Sequence, residues 1–300
     1  MSSADVAVSV FRSLENDDLR VLQVIETAMS KHEFVSKEQI AKFGKFDLAR
    51  DTDYRLNRLD KLGLIYRMRR AYVGYTLNFA GYDCLAINGL VKACVLEAFG
   101  KSLGVGKEAD VFDALNPKGE CIAVKFHRLG RISFRQTKRK RDYSGETVSW
   151  LYQSRLAAEK EYEALKLIQP YGIAAPEPIS QNRHVVVMSM IEGARLTDWK
   201  EFPHPERVLK EILRNVRKLY LKAHVIHGDL SEYNVILKPD MHVLIIDWPQ
   251  YVTTDHPNVQ ELLERDVHNV LHYFRRKHML KACLKEAMEY VTGTCRTLAF

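Results

Sequence analysis

Three oxygen-bearing side chains stand out by type and spacing. Asp229 is followed five residues later by Asn234, in His227-Gly228-Asp229-Leu230-Ser231-Glu232-Tyr233-Asn234, and thirteen further on by Asp247, in Leu244-Ile245-Ile246-Asp247-Trp248. A lone Asp or Asn of this kind usually makes a turn or a cap. Together these segments offer one amide and two carboxylates to a single point. Asn234 and Asp247 are hard-oxygen donors of the kind Mg²⁺ takes, its shell being completed by water and phosphate oxygens. Asp229 then suits orientation or deprotonation of an acceptor hydroxyl.

Lys125 is unusual for its setting, Ala123-Val124-Lys125 inside a strand-like apolar run. An ammonium buried without a partner is costly, so it asks for a phosphate and a carboxylate; an isolated lysine more often snorkels to the surface. Glu161 supplies the carboxylate best, with Leu165 and Ile168 at helical spacing, while Glu159 and Glu163 compete. Upstream runs Gly104-Val105-Gly106-Lys107-Glu108-Ala109-Asp110, between two apolar segments. A lone Gly-x-Gly marks many tight turns. Between two strands, glycine also lets backbone N–H groups close on phosphate oxygens.

The order Gly-x-Gly, Ala-x-Lys, helical Glu, Asp-x₄-Asn and Asp is similar to the protein-kinase signature set. More narrowly, His-Gly-Asp-Leu-Ser-Glu-Tyr-Asn, Ile-Asp-Trp-Pro-Gln and Gly-Val-Gly-Lys-Glu-Ala-Asp resemble the RIO family of atypical protein kinases, over nearly all 300 residues. Several positions depart from ordinary kinases. Ala109 stands where a third loop glycine would be, Gly228 replaces the Arg of His-Arg-Asp, and Trp248-Pro249 replaces Phe-Gly. Only 53 residues follow Asp247, without an Ala-Pro-Glu among them, so a full activation segment and peptide platform are expected to be missing. The Ala-Pro-Glu at 175–177 lies upstream of the catalytic segment and is coincidental.

The resemblance implies an ATP-dependent, self-phosphorylating serine/threonine protein kinase and ATPase, using ATP with Mg²⁺ or Mn²⁺ between two lobes. Asp229, Lys125 and Asp247 are its implied catalytic residues, Asp247 also as a transient phosphoacceptor. Nucleotide contacts are expected from Gly104, Val105, Gly106, Lys107, Glu108, Ala109 and Asp110, from Lys125 with Glu161, and from Met190 and Ile191 as an adenine-contacting hinge. Asn234 and Asp247 are the implied metal ligands. The family also implies work in small ribosomal subunit maturation, with the precursor particle and its ribosomal RNA as partners and a protein substrate besides. One alternative is a small-molecule phosphotransferase of the aminoglycoside or choline kinase type, which shares His-Gly-Asp-x₄-Asn and Ile-Asp. A slow nucleotide-gated assembly factor that is not a true protein kinase is another. A DNA-binding regulator would leave the kinase motifs unexplained.

The frame expected around these residues is α+β. Leu14, Leu19, Leu22, Ile25 and Met29 recur at helical spacing. Ser36 caps a second helix stopped by Gly44, and Asp47 or Asp51 opens a third that Gly63 ends. A hairpin over 64–70 and 71–78 makes this a winged helix, as in the second RIO subfamily. A helix over 82–96 follows, then strands at Val111-Phe112 and Cys121–Phe126, and a polar segment from His127 to about Trp150. After it come a helix from Leu156 to Ile168, a strand from His184 to Ile191, and a helix from Glu206 to His224. Strands at Val235–Lys238 and His242–Ile246 and two or three closing helices end the chain. The expected division is a winged-helix domain (1–81), a linker helix (82–96) and a truncated two-lobed kinase-like domain. Its N-lobe is 97–190, with a basic flexible insert at 127–150, and its C-lobe 191–300.

An apolar content of 46% with 28% charged residues is that of a globular protein in water, and the net charge of +7 favours an anionic partner. The five cysteines lack Cys-x-x-Cys spacing and have apolar sequence neighbours, which predicts reduced core thiols. Asp5, Glu15, Asp17 and Asp18 near the start exclude a signal peptide, and no apolar run has membrane-spanning length. A cytoplasmic protein without a membrane partner is expected. Between His127 and Trp150, seven basic residues (Arg128, Arg131, Arg135, Lys138, Arg139, Lys140, Arg141) face two acids, a solvated run suited to RNA phosphates. Phe134 and Tyr143 could stack on bases there, and Ser133, Thr137 and Ser144 are reachable phosphoacceptors. Arg55, Arg58 and Lys61 on the third helix and Arg67, Arg69 and Arg70 on the wing suit nucleic acid, with protein docking as the competing use.

Overall fold

The protein is described from a computed structural model, over residues 2–46, 49–69, 72–129 and 150–298. The chain forms two compact units: Met1–Leu156 with Ser180–Val185, and Ala157–Ile179 with Val186–Phe300.

The first unit opens with a helix that the sequence reading did not anticipate, α1 (Ser3–Val10), fixed by a reciprocal cap between Ser2 and Asp5. Helix α2 (Asn16–Ala28) follows, then strand β1 (Val35–Ser36) and α3 (Lys37–Gly44). Ser36 does cap α3, exchanging hydrogen bonds with Gln39. Helix α4 (Ala49–Lys61) carries Asp51 in its first turn, while Asp47 lies outside the described residues. The wing is β2 (Ile65–Arg69) and β3 (Val73–Leu77), in a sheet ordered β1-β3-β2. Val21, Leu22, Ile25, Ile40, Leu56 and Leu59 pack without exposure beneath it.

Two of the basic residues assigned to nucleic acid serve this core instead. Asp18 is fully buried, and it accepts from Arg55 at 3.2 Å and lies 3.1 Å from Arg58. Arg55 also meets Glu15 at 2.8 Å. A buried carboxylate demands such partners, so these arginines lock α2 to α4. Lys61, Arg67 and Arg69 remain exposed, and Arg70 lies outside the described residues.

Helix α5 runs from Phe79 to Lys92 and not over 82–96. Asn78 starts it early by accepting the Gly81 amide at 3.0 Å, and Cys94, with φ of 55°, bars its continuation. Nine α5 residues are buried, Asp83 among them, so this helix is core and not a tether. Strands β4 (Ala98–Val105), β5 (Ala109–Leu115) and β6 (Cys121–His127) form an antiparallel meander. Residues 180–185 continue its sheet, contributed by the end of β7 and the start of β8, and the His127 amide donates to the His184 carbonyl at 2.9 Å. His127 and Arg128 are buried, so the expected insert over 127–150 is corrected at its start. Arg128 is held there by Asp83 and Asp110, which takes it out of any solvated run. The insert's other basic residues, with Ser133, Phe134, Thr137, Tyr143 and Ser144, lie outside the described residues. Helix α6 (Trp150–Ile168) begins well before the expected Leu156 and passes from the first unit to the second.

Strands β7 (Pro178–Asn182) and β8 (Val185–Ser189) are divided between the units, and in the second the chain runs on to β9 (Ala194–Arg195) and α7 (Pro205–Lys218). Val208, Leu209, Ile212, Leu213 and Val216 form the buried stripe of α7. The helix does not reach His224 as an α-helix. It widens to a π turn over Leu219–Ala223, and His224, with φ of 55°, turns the chain into β10 (Val225–Ile226). Strands β11 (Val235–Leu237) and β12 (Val243–Ile245) form a hairpin in the order β12-β11-β9, and β13 (Val252–Thr253) pairs with β10. Two helices, α8 (Val259–His278) and α9 (Leu284–Thr292), close the unit.

The cysteines correct another expectation. Only Cys84 is buried; Cys94, Cys121 and Cys283 are exposed and Cys295 is half-buried, all as free thiols. Cys94 follows a helix end and Cys283 caps α9, so apolar neighbours in sequence do not enclose them in space. Among the described residues no helix is long and apolar enough to cross a membrane.

Candidate active site

The β11–β12 hairpin gathers the three oxygen-bearing residues. Val235 pairs with Ile245, and the Ile246 amide donates to the Asn234 carbonyl at 2.9 Å, which sets Asn234 and Asp247 side by side at one end of the hairpin. The Asn234 amide nitrogen donates to the Asp229 carbonyl at 2.8 Å. Asn234 is buried, Asp247 half-buried and Asp229 exposed.

The loop carrying Asp229 is gripped from α8. Asp266, with 1% exposure, accepts the Gly228 amide at 2.8 Å on one carboxylate oxygen and the Leu230 amide at 2.9 Å on the other. Asn269 donates to the Leu230 carbonyl at 3.1 Å, and Arg265 to the Gly228 carbonyl. From the hairpin side His227 donates through Nε2 to the Ile246 carbonyl at 3.0 Å and accepts the Asp229 amide on Nδ1 at 3.3 Å. One neutral tautomer satisfies both bonds. Its ring packs 4.5 Å from buried Trp248, whose indole donates to Ile245 at 3.0 Å. The sequence reading missed Asp266, Arg265 and Asn269. A signal existed: Asp266 sits within the buried stripe of Leu263, Val267 and Val270, where a carboxylate must have partners.

Backbone geometry explains the glycine that stands in place of an arginine. Gly228 has φ of 79°, and a Cβ there would lie 2.5 Å from the Gln250 carbonyl oxygen. Asp247 also has a left-handed backbone, with φ of 71°; an aspartate tolerates this at a modest cost. Although the residue as a whole is exposed, partial desolvation of its carboxyl and the negative charge of Asp247 raise Asp229 above its ordinary range, against Arg265 and the Asn234 hydrogen bond. Asp229, Asn234 and Asp247 are thus gathered at one end of the hairpin, all of them hard-oxygen side chains.

Glu161, on α6 and 1% exposed, accepts the Trp248 amide at 3.3 Å, next to Asp247 in the chain. Of its rivals Glu159 is half-buried and Glu163 exposed. Met190 and Ile191 directly follow β8, both half-buried. The second unit thus brings together Asp229, Asn234 and Asp247 and, through Trp248, Glu161.

The first unit positions the remaining residues. Lys125 is buried in β6 opposite Val111, just past the glycine-rich turn. The turn joins β4 to β5 and is closed by the Gly106 amide on the Ala109 carbonyl at 2.8 Å. Val105, Gly106, Lys107 and Glu108 are exposed, Gly104 and Ala109 half-buried. Neither glycine has a positive φ, and a Cβ at Gly104 would meet nothing within 4 Å. The fold therefore has no need of glycine at 104; its missing side chain leaves room for a molecule to approach the backbone. Asp110 turns its side chain inward. It is fully buried, its carboxylate 3.3 Å from Arg128, and it pairs with Phe126 in the strand ladder. Its side chain is therefore committed to the core beneath the turn, which leaves only its backbone for a ligand.

Comparison with known proteins shows the family and the fold. The RIO domain family model matches residues 110–287, and the Rio2 N-terminal model residues 11–93. The RIO-type serine/threonine-protein kinase Rio2 of Methanocaldococcus jannaschii is 40% identical over 275 residues, covering 88% of this chain and all of that protein. The rio2 kinase of Schizosaccharomyces pombe is 37% identical over 91% of this chain and 80% of its own length. The crystal structure of a Rio2 kinase–ADP/Mg²⁺–phosphoaspartate complex from Chaetomium thermophilum superposes with a TM-score of 0.82 at 34% identity, covering 95% of this chain and 89% of that one. With a winged helix before a lysine-bearing sheet and an Asp-x₄-Asn loop clamped by a helix carboxylate, the chain belongs to the RIO family of serine/threonine protein kinases, in its Rio2 branch.

Proposed function

We propose that the turn at 104–109 and Lys125 hold the phosphates of ATP, that Asn234 and Asp247 hold Mg²⁺, and that Asp229 directs the acceptor. The observation carrying this reading is that Asn234, beside Asp247 at the hairpin end, also bonds the Asp229 loop, which Asp266 clamps. The ion supplies neutralisation of phosphate charge. Positioning does most of the remaining work in phosphoryl transfer. Asp229, its carboxyl raised, takes the hydroxyl proton of a serine or threonine as that oxygen bonds to the γ-phosphorus. The bond from phosphorus to the bridging oxygen breaks and ADP leaves. Met190 and Ile191 receive the adenine.

A second acceptor is favoured by the Rio2 relative that carries ADP, Mg²⁺ and a phosphoaspartate. Here an Asp247 carboxylate oxygen bonds to the γ-phosphorus, ADP leaves, and water later cleaves the acyl phosphate to give inorganic phosphate. Incubation with γ-labelled ATP tests both routes. Asp229→Asn should bind nucleotide as wild type yet label no hydroxyl, and hydroxylamine should release label only from an Asp247 adduct. Wild-type labelling in Asp229→Asn would overturn the assignment.

The biological setting we infer is cytoplasmic, on precursors of the small ribosomal subunit and their RNA. Family membership and the net charge of +7 support it. Because Arg55 and Arg58 are committed inside the module, the wing with Tyr66, Arg67 and Arg69 is the better RNA-facing surface. Cosedimentation with small-subunit particles across a salt series tests this. Arg67→Gln with Arg69→Gln should weaken binding and flatten its salt dependence, and neutralising residues 135–141 should do the same. Unchanged binding in both would exclude these surfaces.

A further inference from the structure

Behind the glycine-rich turn lies a buried ionic cluster that the mechanism above does not use. Asp83 on α5, Asp110 on β5, Arg128 just past β6 and His184 just before β8 are each at most 1% exposed. Arg128 lies 2.7 Å from one oxygen of Asp83 and 3.3 Å from Asp110. The second Asp83 oxygen meets His184 Nε2 at 2.6 Å. Aromatic faces close the site: Phe79 and Phe126 each lie 5.2 Å from the Arg128 guanidinium, and Tyr82 stacks on His184 at 4.6 Å.

Arg128 touches the turn twice. Its backbone amide donates to the Glu108 carbonyl at 2.6 Å, and its side chain holds Asp110 two residues on. The next residue, Leu129, donates its amide to Ser154 in the first turns of α6 at 3.0 Å. One short segment thus joins the exit of the turn to the start of α6, and α5 sets its orientation. Burying a guanidinium and two carboxylates is expensive, and apolar packing would stabilise a sheet–helix contact as well or better. What the ionic arrangement adds is directional fixing of Arg128.

We propose that Asp83 is a positioning residue for nucleotide binding: through Arg128 it makes helix α5, which directly follows the wing, part of the support of the glycine-rich turn. A partner that shifts α5 from the winged-helix side then changes nucleotide affinity, and by linkage bound nucleotide changes affinity for that partner. The proposal rests on the assignment of the 104–109 turn to phosphate binding.

The test is titration calorimetry of Mg²⁺–ADP into the full chain, with thermal unfolding measured without nucleotide. Asp83→Asn keeps size and shape but weakens the grip on Arg128, and it should raise the dissociation constant about tenfold. Leu85→Ala, in the same helix core but outside the cluster, should lower the unfolding temperature while leaving affinity within twofold. The Asp83→Asn and Asp110→Asn effects on affinity should be non-additive, because both act through Arg128. Wild-type affinity in Asp83→Asn, or equal weakening by Leu85→Ala, would overturn the proposal. If Asp83→Asn does not fold, Arg128→Lys takes its place, and if neither folds the cluster is a structural keystone only and the proposal falls. No binding by the wild-type chain would instead refute the nucleotide assignment itself.

Discussion

Replacing Asp266 by Asn is the sharpest probe of how the catalytic loop is held. Each carboxylate oxygen accepts one backbone amide, from Gly228 at 2.8 Å and Leu230 at 2.9 Å. Asparagine keeps the shape but presents an NH₂ group to one of those amides. One buried hydrogen bond to a charged acceptor is lost and its donor is left unsatisfied, for a combined cost of about 2–4 kcal/mol. For a unit of this size that lowers the unfolding temperature by roughly 5–10 °C. The mispaired amide flanks Asp229, so the phosphoryl-transfer rate should fall about a hundredfold, while Mg²⁺–ADP affinity changes less than threefold. Burial pushes the Asp266 carboxyl up to about 7, against the two amides and Arg265. Protonation also removes one full acceptor, so wild-type activity should decline as pH drops below 7 and the Asn variant should lack that limb. Single-turnover phosphorylation across pH with scanning calorimetry measures all of this. Wild-type rate and melting in Asp266→Asn would refute the reasoning.

Other expectations follow from the same geometry. Gly228→Ala puts a Cβ 2.5 Å from a backbone carbonyl at a φ of 79°, and should cost about 2–4 kcal/mol in urea unfolding. Gly104→Ala meets open space, so the folded state should keep its stability within about 0.5 kcal/mol, while calorimetry shows weaker nucleotide binding. Buried His184 has its pKa lowered from 6.5 to about 4 by burial. The unfolded chain therefore takes up this proton first, and stability should fall by about 3 kcal/mol as pH drops from 6.5 to 4, a loss absent in His184→Gln. Arg55→Ala leaves buried Asp18 with Arg58 as its remaining arginine and should destabilise the winged helix by about 1–3 kcal/mol, read by circular dichroism.

The candidate site was legible because its chemistry is local in sequence. Asp229, Asn234 and Asp247 lie on one loop and one hairpin, so their spacing alone places them together, and the cap at Ser36 and the wing are likewise short-range. For Asp110 the sequence leaves the side chain's direction open, because a residue beside a phosphate loop can face either the ligand or the core, and its buried partner Arg128 takes it inward. Composition misled for the cysteines and for Arg55, Arg58 and Arg128, whose exposure is set by residues far along the chain.

Most of the element order, the winged helix and the candidate residues Asp229, Asn234 and Asp247 could be read from the chain alone, since motif spacing and helical or strand periodicity are properties of neighbouring residues. Tertiary structure decided what holds those groups still. The Asp266 clamp on Gly228 spans 38 residues, Arg128 reaches Asp83 across 45, and Arg55 reaches Asp18 across 37. Buried charges take whichever counter-charge the fold delivers to them, and no periodicity in the chain encodes that choice.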